Sequence, residues 1–96
     1  MEYNEKAVSL ETKKAYIWYT MGDTYNGMGQ HDKAMECAQK AIDIDSKEDE
    51  AWLTLGRAYK GLNNYNKAQE CFEKAVKFNS KNQKAKKELD ELKKKQ

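Results

Sequence analysis

The chain is expected to be all-α, an α-solenoid of antiparallel helix hairpins, and three observations lead there. Thirteen of the 34 residues from 15 to 48 recur identically, without a gap, from 49 to 82. Within each copy the apolar residues fall three, four and seven apart, which gathers them on one face of a helix. Each copy holds two such stripes, separated by a short run of glycine and asparagine, residues that tolerate the left-handed backbone of a helix end. A hairpin of this size cannot bury its own apolar face, so neighbouring units must cover one another.

The phase of the repeat predicts six helices, at 2 to 11, 15 to 28, 32 to 45, 49 to 62, 66 to 79 and 83 to 94, in one domain spanning 1–96. Lys6-Ala7-Val8 stands 34 residues before Lys40-Ala41-Ile42, which stands 34 before Lys74-Ala75-Val76, so residues 1–14 read as the second helix of a preceding unit. Residues 15–48 and 49–82 are the two full repeats. In their first helices, Trp18, Met21, Gly22 and Tyr25 find Trp52, Leu55, Gly56 and Tyr59 one period later. In their second helices, Ala34, Cys37, Ala38, Ala41 and Ile42 become Ala68, Cys71, Phe72, Ala75 and Val76. Gly22, Ala34, Gly56 and Ala68 remove bulk where the helices of a hairpin cross, and the tryptophan and tyrosine rings fill the space beside them. Ser80 with Gln83 is a capping box for the last helix, and Ser46 with Asp49 a weaker one. Residues 83–96 keep the apolar spacing at Ala85, Leu89 and Leu92. Lys86, Asp90 and Lys93, however, stand where Trp, Gly and Tyr would be, which makes this segment a capping helix with a polar outer face.

The run Trp52-x2-Leu55-Gly56-x2-Tyr59 followed by Ala68-x3-Phe72, with its fainter copy Trp18-x2-Met21-Gly22-x2-Tyr25, resembles the tetratricopeptide repeat. That resemblance implies a right-handed solenoid whose first helices line a concave groove for an extended or helical segment of a partner protein. It also implies proline where Ser46 and Ser80 stand; the chain has none, and hydroxyl caps can serve instead. Carried onto this sequence, the groove face is Tyr16, Tyr19, Asp23 and Asn26 on the first unit. On the second it is Glu50, Leu53, Arg57 and Lys60, and on the cap Lys84, Lys87 and Glu91. Tyr16, Tyr19 and Leu53 are the expected apolar anchors. Chaperone-binding members of the family clamp a terminal carboxylate with lysine, asparagine and arginine. The matching positions here are Tyr19, Asp23, Thr54, Lys84 and Glu88, of which only Lys84 fits, while Asp23 and Glu88 would repel the ligand.

Other functions find little support. There is no glycine-rich phosphate loop, and His31, the only histidine, has no serine or cysteine at a spacing that suggests a nucleophile, so no enzyme and no cofactor is expected. Its ring is expected to pack at the hairpin turn. Cys37 and Cys71 lie on stacked helices about 8–10 Å apart, too far for a disulfide, and are expected to be free thiols. Glu48, Asp49 and Glu50 suit a helix start better than a metal. Residues 1–82 carry twelve Lys and Arg against thirteen Asp and Glu, with no basic ladder at the repeat period, so nucleic acid is not an expected partner. The lysines after residue 83 complement the dipole of a last helix. Neither a membrane-spanning run nor a signal peptide is visible, which makes the cytoplasm the default location. The expectation is a non-catalytic module that binds a protein or peptide, a fragment or designed piece of a longer array. The alternative is self-association through Tyr3, Val8 and Leu10 on a first helix that lacks its partner.

Overall fold

A computed structural model describes the backbone of residues 2–95 and the side chains of residues 14–94. The described backbone forms five helices, α1 (Glu2–Gly27), α2 (His31–Ile44), α3 (Asp49–Gly61), α4 (Tyr65–Phe78) and α5 (Gln83–Lys95). α1 pairs with α2 and α3 with α4 as hairpins, α2 lies on α3, and α5 closes the stack on α4. α1 and α3 also touch, and Glu88 of α5 is bonded to Arg57 and Lys60 of α3, so the odd-numbered helices share one side of a molecule of 48 × 27 × 16 Å.

The junctions repeat as faithfully as the sequence. Gly29 and Asn63, one period apart, both take a left-handed backbone, with φ of 81° and 65°. Asp45 and Asn79 both stop a helix in extended backbone and donate their N–H to Ala41 and Ala75 at 2.9 Å. Their side-chain oxygens then accept the N–H of Lys47 and Lys81, each at 3.1 Å, which closes the same turn twice.

One expected junction is missing. The sequence places a break between helix 2–11 and helix 15–28, but α1 runs through it without interruption. The reason is visible in the register. Glu11 stands where Asp45 and Asn79 stop their helices, and Lys14 where Glu48 and Asn82 start the next. Glutamate has one methylene too many for the tight turn, lysine has no acceptor to cap with, and Glu-Thr-Lys-Lys contains no residue that breaks a helix. The expected open surface of Tyr3, Val8 and Leu10 lies outside the described side chains. The capping boxes also move: Glu48, not Ser46, caps α3 by accepting the N–H of Glu50 at 3.4 Å, and Asn82, not Ser80, caps α5 by accepting that of Ala85 at 3.1 Å.

Two clusters form the core. Ala15, Ala38, Ala41, Ile42, Ala51, Leu55 and Cys71 pack around Trp18, while Leu53, Ala68, Phe72, Ala75, Ala85 and Leu92 pack beyond them. Trp52 and Tyr59 touch both clusters. A methyl added at Gly56 would fall 2.5 Å from Phe72 Cε1, and one at Gly22 2.7 Å from Thr54 Cγ2, so both glycines are required by close approach. Cys37 and Cys71 are buried free thiols. The His31 ring packs against Gly61 at the hairpin turn and its Nδ1 pairs with Asn26 Oδ1 at 2.9 Å. Met21, expected in the core stripe, is instead 39% exposed.

Candidate functional site

The candidate site is the face shared by α1, α3 and α5. On α1, Tyr16 is 58% exposed and meets Tyr19 edge to face, with centroids 5.4 Å apart and planes at 81°. Tyr19 is half-buried, and burial, followed by the nearby charges of Glu48 and Glu50, pushes its hydroxyl up to about 12. It therefore stays a neutral phenol at any physiological pH. One turn on, Asp23 faces Thr54, a buried residue of α3 whose hydroxyl lies 2.9 Å from the Glu50 carbonyl, 3.1 Å from Asp23 Oδ1 and 3.5 Å from the Tyr19 carbonyl. Asn26 follows, donating its Nδ2 to the Thr54 carbonyl at 3.2 Å while its oxygen holds His31.

Between α3 and α5 the face deepens into a cleft of about 320 Å³ lined by Arg57, Lys60, Lys84, Lys87, Glu88 and Glu91. Glu88 is its centre. Its two oxygens accept Arg57 Nε at 2.9 Å and Lys60 Nζ at 2.8 Å. Burial acts to raise the Glu88 carboxyl, but the hydrogen bonds and charges of Lys60 and Arg57 outweigh it and hold the group below the ordinary glutamate value. Arg57 also reaches Asp23 at 3.7 Å, and Lys60 reaches Glu91 at 3.9 Å. The result is a line of alternating charge from α1 across α3 to α5. At the end near Tyr19, Asn82 donates to Asp49 at 2.7 Å and Glu50 at 2.9 Å, and Lys84 approaches Glu50 at 3.5 Å, so the acidic cluster ties α3 to the start of α5.

A family model described as tetratricopeptide repeat matches residues 13–81. The chain belongs to the tetratricopeptide repeat family. Among solved structures, the first TPR of Spaghetti (RPAP3) bound to the HSP90 peptide SRMEEVD is similar, with TM-score 0.80 and 25% identity over 84% of this chain and 66% of that one. The Sgt2 TPR domain from Aspergillus fumigatus matches with TM-score 0.80 and 28% identity, over 98% of this chain and 68% of the other. The second TPR domain of human RPAP3, in complex with an HSP70 peptide, shares the fold at TM-score 0.78 and 23% identity, over 93% of this chain and 80% of that one. The chain thus spans about two thirds of the length of the first two. No curated protein sequence matches it significantly.

Measured against the groove face implied by the TPR resemblance, the structure brings Arg57, Lys60, Lys84 and Lys87 together in one cleft, with Tyr16, Tyr19, Asp23 and Glu50 along the same face. Two residues differ. Leu53 is 1% exposed and packs with Phe72 and Leu92 in the core, because α5 covers it. Asn26 has both ends of its amide engaged in joining α1 to α3 and His31. Glu88 was legible only as a residue hostile to a carboxylate ligand, whereas in the TPR fold it is the shared counter-ion of Arg57 and Lys60. The signal lay in the register: Glu88 is one period after Thr54, so Arg57 sits a single turn from its neighbour position. Among the described residues no group of three or more His, Cys, Asp or Glu is placed to hold a metal ion, and no helix is long and apolar enough to cross a membrane.

Proposed function

We propose that the chain is a protein-interaction module that holds a peptide segment of a partner against the face of α1, α3 and α5 and performs no chemistry. The observation that carries this reading is the Tyr16–Tyr19 pair. It is an exposed ring braced by a half-buried one, a rigid apolar anchor on the helix that Asp23 links to the charged cleft through Arg57. The likeness to the Spaghetti repeat, which is bound to a peptide, supports it. So does the ion pairing of the cleft, which fixes the helices before any partner arrives and limits the entropy lost on binding.

The partner differs in our reading from the terminal carboxylate of a chaperone. Glu88 already satisfies Arg57 and Lys60, and Tyr19 and Asp23 stand where that clamp needs a cation and an amide. Two free thiols suit the reducing cytosol as the compartment. Calorimetric titration with SRMEEVD is expected to show no saturable binding, while selection from a peptide library should return a binder that Tyr16→Ala weakens without loss of helicity. Binders indifferent to both Tyr16→Ala and Lys87→Ala would place recognition on another face.

A further inference from the structure

The repeat register sets three equivalent pairs of positions side by side: Ile17 and Met21 on α1, Ala51 and Leu55 on α3, Ala85 and Leu89 on α5. α2 covers the second pair with Ala38, Ala41 and Ile42, and α4 covers the third with Phe72, Ala75 and Val76. The first pair is bare, Ile17 being 55% and Met21 39% exposed. It leads into a recess of about 270 Å³ lined by Met21, Thr24, Tyr25 and Met28, the last 56% exposed. A helix bearing the α2 pattern would cover it. The sequence contains one, since Lys6-Ala7-Val8 matches Lys40-Ala41-Ile42, yet that segment continues α1 without a break and cannot fold back onto it. Residues 8 and 17 of one helix stand about 13 Å apart along its axis.

We propose that two copies of this chain exchange the first part of α1, so that residues 2–11 of each copy lie antiparallel on the Ile17, Met21 and Tyr25 stripe of the other. The geometry is set by the hairpin already present. Ile42 and Ala38 of α2 share one buried cluster with Ala51 and Leu55 of α3. In an antiparallel pair the residue nearer the end of α2, Ile42, lies level with the one nearer the start of α3, Ala51, and Ala38 lies level with Leu55. One period earlier these become Val8 with Ile17 and Asn4 with Met21, and both pairs are centred between Thr12 and Lys13. A two-fold axis through that point makes each contact twice and closes the assembly at two copies. The junction that Glu11 and Lys14 leave unbroken is what carries the segment across to the partner. The stripe points away from Tyr16 and Tyr19, so the exchange and the groove are independent.

Light scattering of the full chain across micromolar to millimolar concentration is expected to show a species of twice the 11.2 kDa chain that dissociates on dilution. Met21→Glu, at an exposed site, should keep the helicity and move the dissociation midpoint about tenfold or more toward higher concentration by placing a charge in the contact. Glu11→Asn with Lys14→Asn restores the turn chemistry of the other junctions and should give a monomer with the segment folded back. Val8→Cys with Ile17→Cys should oxidise to a disulfide between chains. A wild-type monomer at millimolar concentration, a dimer indifferent to Met21→Glu, or a disulfide within one chain would overturn the exchange, and none of these would touch peptide binding by the groove.

Discussion

Trp52 is the side chain on which both core clusters lean. Its ring is half-buried between them, its Nε1 donates to the Ser46 carbonyl at 2.8 Å, and Lys74 Nζ sits 4.6 Å from its centroid. Truncation to alanine should cost about 3–5 kcal/mol in chemical denaturation. Leu53→Ala belongs to the same class: the side chain is buried against Phe72 and Leu92, so the loss should be about 2–5 kcal/mol of stability and not a selective loss of binding. Glu88 responds to pH. Because its folded pKa lies below the ordinary value of 4.5, the carboxylate contributes stability at neutral pH that disappears as the pH falls through the folded value. Glu88→Gln should therefore lower stability by about 1–2 kcal/mol at pH 7 and flatten the acid limb of a urea-midpoint against pH curve. Cys71, which burial pushes up to about 12, should resist thiol reagents in the folded chain and react fully only in denaturant.

At the level of helices and their ends, the periodic pattern read well wherever chemistry repeated with it. The four boundaries around α2 and α3, and those of α4 and α5, fall within a residue of the expected positions because stripe and turn residues agree there. The caps depart from the expected serines because Glu48 and Asn82 stand directly before their helices, where a side-chain oxygen reaches the first free N–H groups, and Asn82 gains further bonds to Asp49 and Glu50. Asn82→Ala removes the cap of α5 and the bonds to Asp49 and Glu50, and should cost about 1–3 kcal/mol, read as a lower thermal midpoint. The junction at 11–14 differs from the expectation for the opposite reason. Apolar spacing alone placed a break there, and the two residues that enforce such a break elsewhere, an Asx turn and a side-chain cap, are replaced by Glu11 and Lys14.

Across the molecule, the identity between copies reaches contacts that no motif names: Lys40 over Trp18 and Lys74 over Trp52 both stand 4.6 Å from their ring centroids. That fidelity explains why the fold was readable from one sequence. The groove was less so. The resemblance to the family implies a groove face with Tyr16, Tyr19, Arg57 and Lys84 on it, but whether a residue there is open or covered depends on the neighbouring helix, and α5 closes over Leu53. The charges that join α1, α3 and α5 sit on one side of the stack, from Asp23 through Arg57 to Glu88 and Lys60, whereas the hairpin core is apolar. Coulombic attraction there weakens with ionic strength and apolar packing does not. The opening between α1, α3 and α5 should then behave like a spring tuned by salt: small-angle scattering in molar sodium chloride ought to report a more extended particle of unchanged helix content, and with it a wider mouth for whatever the tyrosines grip.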